Sequence, residues 1–239
     1  MCSLEKRGSI FILTLRGDGE HRLNPSLLNE IKSTIGSVRE EAGASSALIT
    51  TAEGKFFSNG YDMAWARSSS KEVIERAMLM DSLLRSVVSD LLTLPMPTIA
   101  AITGHASAAG YALALAHDYL LMRSDRGFLY MSELDINLVV PAWFVALIDA
   151  KVGSPAARRR IVMNAAKLTA KEALLLGVID SAHHGADDTV EAALALSADL
   201  VKRGWDGHVY AQNRKNFLGR LIQAVQDTSQ TKPYTLSRL

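Results

Sequence analysis

Two turns rich in small residues, each following an apolar strand, are the segments of this sequence that could do chemistry. The first is FSNGYD, residues 57–62, and the second is GHASAAGYALA, residues 104–114. Small residues let a backbone approach a ligand closely, and a turn that runs into a helix leaves N–H groups unbonded at the positive end of the helix dipole. Two such N–H groups converging on one oxygen would form an oxyanion hole. The pattern alone leaves a second interpretation open, in which the small residues only allow close packing.

Alternating strands and helices are predicted around these turns. Residues 9–15, SIFILTL, and residues 46–52, SALITTA, have the composition of strands, and the second strand leads into the first turn. Between them, Asn24 is a predicted N-cap with Pro25 at the first helical position. Apolar residues then recur at helical spacing: Leu27, Leu28, Ile31, Ile35 and Val38. A strand, a helix and a strand in succession favour a right-handed crossover.

Capping signals predict two further helices. A Ser-x-x-Glu capping box at Ser69 predicts the start of a long helix, which Pro95 and Pro97 would end. A second capping box at Thr169 predicts a later helix, which Gly177 would end. Apolar segments on both sides of the second turn predict more strands.

The order of these elements indicates an α/β fold with a helical C-terminal region. Residues 1–188 are predicted to form the core that carries the site. Residues 189–239 are predicted to form a C-terminal helical region and tail.

Composition narrows the class of protein. The chain has 239 residues, 48% of them hydrophobic, and 26 Lys and Arg against 25 Asp and Glu, which gives a net charge of +1. This balance gives no overall positive field that would attract nucleic acid or anionic membranes. The basic cluster at residues 157–162 is interpreted as an exposed or interface helix. The single Cys2, and the absence of a signal peptide or membrane-length segment, predict a soluble intracellular protein.

Several common catalytic motifs are missing. The six histidines have no metal-ligand spacing and are interpreted as surface or loop residues. The sequence contains no Walker motif, no dinucleotide-binding glycine fingerprint and no Gly-x-Ser-x-Gly elbow. Phosphoryl transfer, hydride transfer and serine hydrolysis therefore lose support.

Four segments in sequence order resemble the crotonase superfamily of acyl-CoA enzymes. They are GKFFSNGYDM, PTIAAITGHASAAGYALALAHDY, GFLYMSELDINLVVPAWF and LTAKEALLLGVID. The resemblance implies a core of repeated ββα units, a C-terminal helical region that mediates trimer contacts, with trimers able to pair into hexamers, and a coenzyme A thioester as substrate. Coenzyme A would be part of the substrate, so no separate cofactor and no metal are expected.

The resemblance also implies roles for the residues of the two turns. The main-chain N–H groups of Tyr61 and Ala109 would hold the thioester oxygen, with Gly60 permitting the first turn and Asp62 fixing it through hydrogen bonds to nearby backbone. The remaining implied substrate-binding residues are Phe57, Ser58, Asn59 and Gly110. Lys55 and Lys215 are the candidates for meeting the phosphates of coenzyme A.

The acidic residues favour one reaction of this family. Family members that hydrate a double bond use two glutamates, but this chain has Ala112 at the first position and keeps only Glu133 at the second. One carboxylate can move a proton, as in Δ3,Δ2-enoyl-CoA isomerases, including plant peroxisomal members that the chain resembles. Asp135 is assigned a structural role. An apolar wall is expected to raise the pKa of Glu133: Met131, Leu134, Ile136, Val139, Val140, Trp143 and Phe144.

One departure from the family pattern is Asn137, where members usually carry glycine. Asparagine tolerates a left-handed backbone, so the turn is expected to survive. The alternative functions are weak hydration, acyl-CoA hydrolysis, or acyl-CoA binding without catalysis. The final Ser237-Arg238-Leu239 differs by one conservative change from a peroxisomal address and predicts recognition by the peroxisomal import receptor and location in the peroxisome.

Overall fold

The computed structural model describes residues 1–43 and 45–227, and the predicted targeting tripeptide 237–239 lies outside the described residues. Its strands are β1 (Cys2–Arg7), β2 (Ile10–Leu15), β3 (Ala47–Ala52), β4 (Phe56–Ser58), β5 (Thr98–Ile102), β6 (His105–Ser107), β7 (Tyr119–Arg123), β8 (Leu129–Tyr130) and β9 (Ser181–His183). Its helices are α1 (Pro25–Glu41), α2 (Met63–Arg67), α3 (Val73–Leu92), α4 (Ala109–Leu115), α5 (Ala142–Lys151), α6 (Pro155–Met163), α7 (Ala170–Leu175), α8 (Ala186–Lys202), α9 (Gly207–Phe217) and α10 (Gly219–Gln226). The predicted α/β class is confirmed.

Two sheets organise the molecule. The larger has the order β1-β2-β3-β5-β7-β9, in which β1 and β2 are antiparallel and every later pair is parallel. The smaller sheet consists of β4, β6 and β8, all parallel. Because parallel strands point their carboxyl ends to the same edge, the segments that follow β4, β6 and β8 emerge together.

The larger sheet is covered on both faces, as parallel sheets usually are. Every residue of β3 and β5 is buried. Alternate residues face opposite sides: Ile49 and Ile99 pack with α8 residues around Ala193, while Leu48 and Ala100 belong to the main core with α1 and α3. The main core therefore lies between the larger sheet and the elements that carry the two turns.

Most of the predicted helix signals are present. Asn24 accepts a hydrogen bond from the Leu27 amide and Pro25 opens α1, as predicted. The capping box of Thr169 and Glu172 is present at α7. The predicted capping box at Ser69 is wrong, because α3 begins at Val73 with Glu72 at its N-cap and no side-chain cap.

The interpretation of all histidines as surface or loop residues is also wrong. His117 is fully buried, and its Nε2 lies 2.8 Å from the Thr50 hydroxyl. Its Nδ1 lies 3.0 Å from the Leu113 carbonyl oxygen, and burial lowers its pKa to about 4. His21 is also buried, with Nδ1 2.9 Å from the Phe56 carbonyl oxygen. Both side chains contribute to packing and hydrogen bonding in the core.

No helix among the described residues combines the length and the apolarity needed to cross a membrane. Residues 1–43 and 45–227 also contain no cluster of three or more His, Cys, Asp or Glu side chains arranged to hold a metal ion.

Candidate functional site

The two turns meet at the carboxyl ends of β4 and β6. Gly60 has a φ of 73°, in the left-handed region that favours glycine. A Cβ on Gly60 would lie 3.1 Å from the Ser107 carbonyl oxygen and 3.6 Å from the Ala109 nitrogen. The first turn therefore lies directly against the start of α4.

Backbone hydrogen bonds fix the first turn in place. The Leu23 amide donates to the Gly60 carbonyl at 2.8 Å, and the Asn59 amide donates to the Glu20 carbonyl at 2.8 Å. Asp62 caps α2, since its Oδ1 accepts from the Trp65 amide at 2.9 Å. The expected hydrogen bonding of Asp62 to nearby backbone is thus confirmed.

The second turn places the first amides of α4 beside Gly60. Ala108 has φ 49° and ψ −119°, an unfavourable conformation for a residue with a side chain, and such strain often marks functional sites. The first helical bond of α4 runs from the Ala112 amide to the Ala108 carbonyl, so the Ala109 amide precedes the intrahelical ladder. Gly110 is required for the close approach of α4 to β4, because a Cβ there would lie 2.3 Å from the Ser58 carbonyl oxygen.

Glu133 follows β8 and is buried at the same edge. Its carboxyl group has no hydrogen-bond partner for Oε2 among the described residues, and the residue is 7% exposed. Burial raises the pKa of Glu133 to about 7. Its carbonyl accepts hydrogen bonds from the Ile136 and Leu138 amides, which hold the short 3₁₀ turn that follows. Such a group can take up or release a proton near neutral pH.

Asn137 ends that 3₁₀ turn with φ 57° and ψ 34°. This is the left-handed conformation expected where family members carry glycine, and the prediction that asparagine preserves the turn is confirmed.

Glu133 and the two turns line one cavity of about 190 Å³. Of the predicted site residues, Asn59, Gly60, Tyr61 and Glu133 line it, whereas Ala109 is fully buried and is not among the lining residues. Its lining is Arg22, Asn59, Gly60, Tyr61, Met63, Ala77, Ser107, Ala108, Ser132, Glu133, Ile136, Leu138, Pro141 and Phe144.

The other predicted substrate-binding residues support the cavity from outside its lining. Phe57 is fully buried in the main core. The Ser58 hydroxyl is also buried and donates to the His21 carbonyl at 2.8 Å. Gly110 allows α4 to approach β4 closely, and Asp62 accepts a hydrogen bond from the Trp65 amide. A direct contact of these four residues with substrate stays a prediction.

The apolar wall around Glu133 differs from the prediction. Ile136 and Phe144 line the cavity as expected, although Ile136 is 56% exposed, whereas Leu134 and Val139, 51% and 76% exposed, do not line it. Met131 and Trp143 are buried without lining the cavity, and Val140 is partly buried against the core. The segment after Glu133 is a short 3₁₀ turn, so the directions of its side chains follow neither the period of a strand nor that of an α-helix.

Several lining residues were not predicted from the sequence: Arg22, Met63, Ala77, Ser107, Ala108, Ser132, Leu138 and Pro141. Met63 and Ala77 come from α2 and α3, whose position over the cavity has no local sequence signal. Ser107 and Ala108 belong to the second turn and could have been included on that ground.

The two lysines proposed for the phosphates lie outside this cavity. The Lys55 amine is 5.6 Å from the centroid of the Phe56 ring. Lys215 is exposed on α9. Their contact with coenzyme A stays a prediction.

The chemistry available from the side chains of this site is proton transfer by a buried carboxylic acid. Glu133 is the only carboxylic acid among the described residues that line the cavity. The position at which a second acid would stand, Ala112, is a fully buried alanine.

Comparisons with known proteins agree with this fold. The family model described as enoyl-CoA hydratase/isomerase matches residues 5–228. The chain is 58% identical over 223 residues to enoyl-CoA delta isomerase 1, peroxisomal, of Arabidopsis thaliana, covering 93% of this chain and 91% of the relative. It is 48% identical to enoyl-CoA delta isomerase 3 of the same plant, covering 96% and 97% of the two chains.

Enoyl-CoA delta isomerase 2, peroxisomal, of Arabidopsis thaliana is also 48% identical, covering 92% of this chain and 93% of the relative. Among solved structures, an enoyl-CoA hydratase/isomerase family protein from Pseudomonas syringae superimposes with a TM-score of 0.87 at 20% identity, covering 97% of both chains. This similarity concerns the fold alone.

Proposed function

The chain belongs to the enoyl-CoA hydratase/isomerase family, and we propose that it converts 3-enoyl-CoA, cis or trans, to trans-2-enoyl-CoA. Extensive identity to three plant enoyl-CoA delta isomerases supports this activity. The reaction serves the β-oxidation of unsaturated fatty acids. The observation that carries the mechanism is that Glu133 is buried and is the only carboxylic acid among the described residues that line the cavity, which residues of the two turns also line.

Glu133 is proposed to act as both base and acid. Its carboxylate removes a proton from C2 of the 3-enoyl thioester, and the electron pair delocalises over the double bond and the carbonyl as a dienolate. The protonated Glu133 then returns the proton to C4, which leaves the double bond between C2 and C3. A pKa of about 7 suits this role, because the group can hold and release the proton at neutral pH.

The Tyr61 and Ala109 amides are proposed to hold the thioester oxygen while it carries the negative charge. The contact between Gly60 and the start of α4 supports this, since it brings the two backbone segments together. Removal of one donor from an oxyanion hole typically costs about 2.7–4 kcal/mol of transition-state stabilisation. Both donors are main-chain N–H groups, which no substitution except proline removes. Any other substitution can therefore weaken them only by changing the conformation of the turns.

Hydration of a 2-enoyl thioester is disfavoured by Ala112. A buried methyl group there can neither activate a water molecule nor protonate the opposite carbon. The substrate supplies coenzyme A itself, and the proposed reaction requires no separate cofactor.

The test is turnover of 3-enoyl-CoA by the purified protein, followed as formation of conjugated 2-enoyl-CoA, with a parallel hydration assay. We expect wild type to isomerise without appreciable hydration, and Glu133→Gln to lose several orders of magnitude in kcat. Asp135→Asn is the matched control, because Asp135 is an exposed carboxylate two residues away. Wild-type turnover by Glu133→Gln would exclude the proton-shuttle mechanism.

A peroxisomal location is proposed from two features. Two of the relatives are named as peroxisomal, and the chain ends in Ser237-Arg238-Leu239, which an import receptor would bind. A fluorescent fusion that keeps this C-terminus should enter peroxisomes, and deletion of the three residues should leave it outside. Equal distribution of both fusions would contradict the proposal.

A homotrimer, able to pair into a hexamer, is proposed through the C-terminal helical region. The exposed apolar residues Phe217 and Val209 on α9, 81% and 55% accessible, support an interface there. Sedimentation of wild type beside Phe217→Glu tests this. We expect a trimer or hexamer for wild type and dissociation of the variant, and a monomeric wild type would contradict the proposal.

A further inference from the structure

Helix α3 carries a buried carboxylate that the proposed mechanism does not use. Asp81 is 1% exposed and accepts hydrogen bonds from three side chains. The Tyr61 hydroxyl and the Trp143 Nε1 donate to its Oδ1 at 3.1 and 3.0 Å. The Arg85 Nε donates to its Oδ2 at 2.7 Å.

A contribution to the stability of the fold is a weak explanation for the buried ion pair of Asp81 and Arg85. Removing two charges from water costs several kcal/mol for each ion, and apolar residues of similar volume often replace a buried ion pair without loss of stability. The side chains of Arg85 and Asp81 are only 8% and 1% exposed. Such pairs are better attested where they fix one geometry among several.

Two of the groups that donate hydrogen bonds to Asp81, on Tyr61 and Trp143, come from different elements beside the cavity. Tyr61 follows Gly60 in the first turn and lines the cavity. Trp143 precedes Phe144, which lines the cavity from α5, and their ring centroids are 4.4 Å apart in an edge-on arrangement. The Tyr61 and Phe144 rings are tilted by 35° to each other, with centroids 6.4 Å apart. One carboxylate oxygen therefore links the first turn to α5, and both of these elements contribute lining residues to the cavity.

Helical spacing connects this carboxylate to the cavity and to α10. Ala77, Asp81 and Arg85 stand at i, i+4 and i+8 on α3, so they share one face of the helix. Ala77 lines the cavity. At the other end, Arg85 Nη1 donates to the carbonyls of residues 224, 225 and 227, each at 3.3 Å. The positive charge of Arg85 thus binds the last carbonyls of α10, where a cation is favourable.

We propose that Asp81 is a positioning residue, which orients the Tyr61 amide toward the thioester oxygen by anchoring the Tyr61 hydroxyl and the Trp143 indole. This proposal rests on the proposed function. Asp81 does not touch the substrate and acts through the side chain whose own backbone donates the hydrogen bond. Because both donors share one oxygen of Asp81, a displacement of the first turn or of α5 alters the alignment of the other.

Loss of this anchor should lower kcat more than it changes KM. The amide has its full effect only when charge develops on the oxygen, so misalignment affects the transition state more than the ground state. Tyr61→Phe removes only the hydroxyl and keeps the backbone donor. We expect kcat to fall by about tenfold, which corresponds to about 1.4 kcal/mol and lies within the contribution of one hydrogen bond.

The experiment compares Tyr61→Phe, Asp81→Asn and the double variant in the isomerase assay, together with their melting temperatures. Tyr111→Phe is the matched control, because the Tyr111 hydroxyl is buried and has no hydrogen-bond partner in the described part of the chain. It should keep wild-type kcat. We expect Tyr61→Phe to lose about tenfold in kcat with KM changed by less than about twofold. If Asp81 acts through this hydroxyl, Asp81→Asn should cost less in the Tyr61→Phe background than in wild type.

Wild-type kcat in Tyr61→Phe would overturn the proposal, as would fully additive losses in the double variant. Tyr61→Phe keeps the test valid if Asp81→Asn, which leaves Arg85 unpaired, does not fold. The proposed function has a separate readout. If wild type isomerises and Glu133→Gln does not, the function stands whatever the Tyr61 variants do, whereas a wild type that does not isomerise overturns both.

Discussion

The burial of Glu133 is expected to make activity and stability depend on pH in opposite directions. Its pKa is raised from 4.5 to about 7 by burial in the folded protein. The proposed mechanism requires the ionised form, so kcat/KM should rise with pH through about 7 and then level off. Below that pH it should fall tenfold per unit, whereas an ordinary glutamate would stay ionised to near pH 4.3.

The stability effect has the opposite sign. Between pH 4.5 and about 7 the folded state keeps a proton that the unfolded chain has lost, so the free energy of unfolding falls as pH rises. The shift of about 2.5 pKa units corresponds to about 3 kcal/mol, most of which develops between pH 5 and pH 8. Glu133→Gln cannot ionise and escapes this loss. The variant should therefore gain stability relative to wild type as pH increases.

The measurement is the melting temperature of wild type and Glu133→Gln at pH 5 and at pH 8. A difference of about 2–3 kcal/mol should change the gap between them by about 5–10 °C for a chain of this length. Other titrating groups contribute equally to both proteins and cancel. Asp135→Asn, which removes an exposed carboxylate, should track wild type at both pH values. The kcat/KM profile of wild type is recorded over the same range.

Two results would refute this reasoning. A constant gap between wild type and Glu133→Gln would mean that Glu133 titrates near its ordinary pKa and is not desolvated. A kcat/KM profile that is flat down to pH 5 would mean that the group which limits the reaction is not a buried acid with a pKa near 7.

Substitutions of Gly60, Gly110 and Asn137 test the packing of the turns. Gly60→Ala should lower kcat and cost about 1–2 kcal/mol of stability, because φ is 73° and the new Cβ would lie 3.1 Å from a carbonyl oxygen; assay and thermal melt both report it. Gly110→Ala should abolish folding, because its Cβ would lie 2.3 Å from the Ser58 carbonyl oxygen. The control is Gly36→Ala in α1, where a Cβ would meet nothing within 4 Å. This control should raise the free energy of unfolding in urea by about 0.5–1 kcal/mol. Asn137→Val should destabilise by about 1–2 kcal/mol while Asn137→Gly stays near wild type, and equal melting of the two would contradict a left-handed turn.

Local signals in the sequence were enough to predict the N-termini of α1 and α7 and the two turns, although the capping signal at Ser69 did not mark the start of α3. The Asn24 cap and the Thr169 capping box depend on hydrogen bonds within four residues, so the sequence alone specifies them. The turns are recognisable because each contains a glycine that the backbone requires. Gly60 has a positive φ, and Gly110 lies too close to the Ser58 backbone for a Cβ.

The remaining parts depend on contacts between distant segments. Strand β9 is short and half-buried, and it exists because it pairs with β7 across the chain. The directions of Leu134 and Val139 depend on an irregular turn that has no period. The hydrogen bonds of Asp81 to Tyr61 and Trp143 span 20 and 62 residues, and no spacing rule predicts them.

The hydrogen bonds from Arg85 to the C-terminal end of α10 affect how the protein folds during its synthesis. Synthesis proceeds from the N-terminus and early segments can fold first, so α3 leaves the ribosome long before α10 does. Until residues 219–227 emerge, Arg85 lacks the carbonyls that it binds, and α5 lacks the helix that packs behind it. We therefore expect the cavity of the nascent chain to be incomplete, and the ability to turn over substrate to arise only after α10 has been translated.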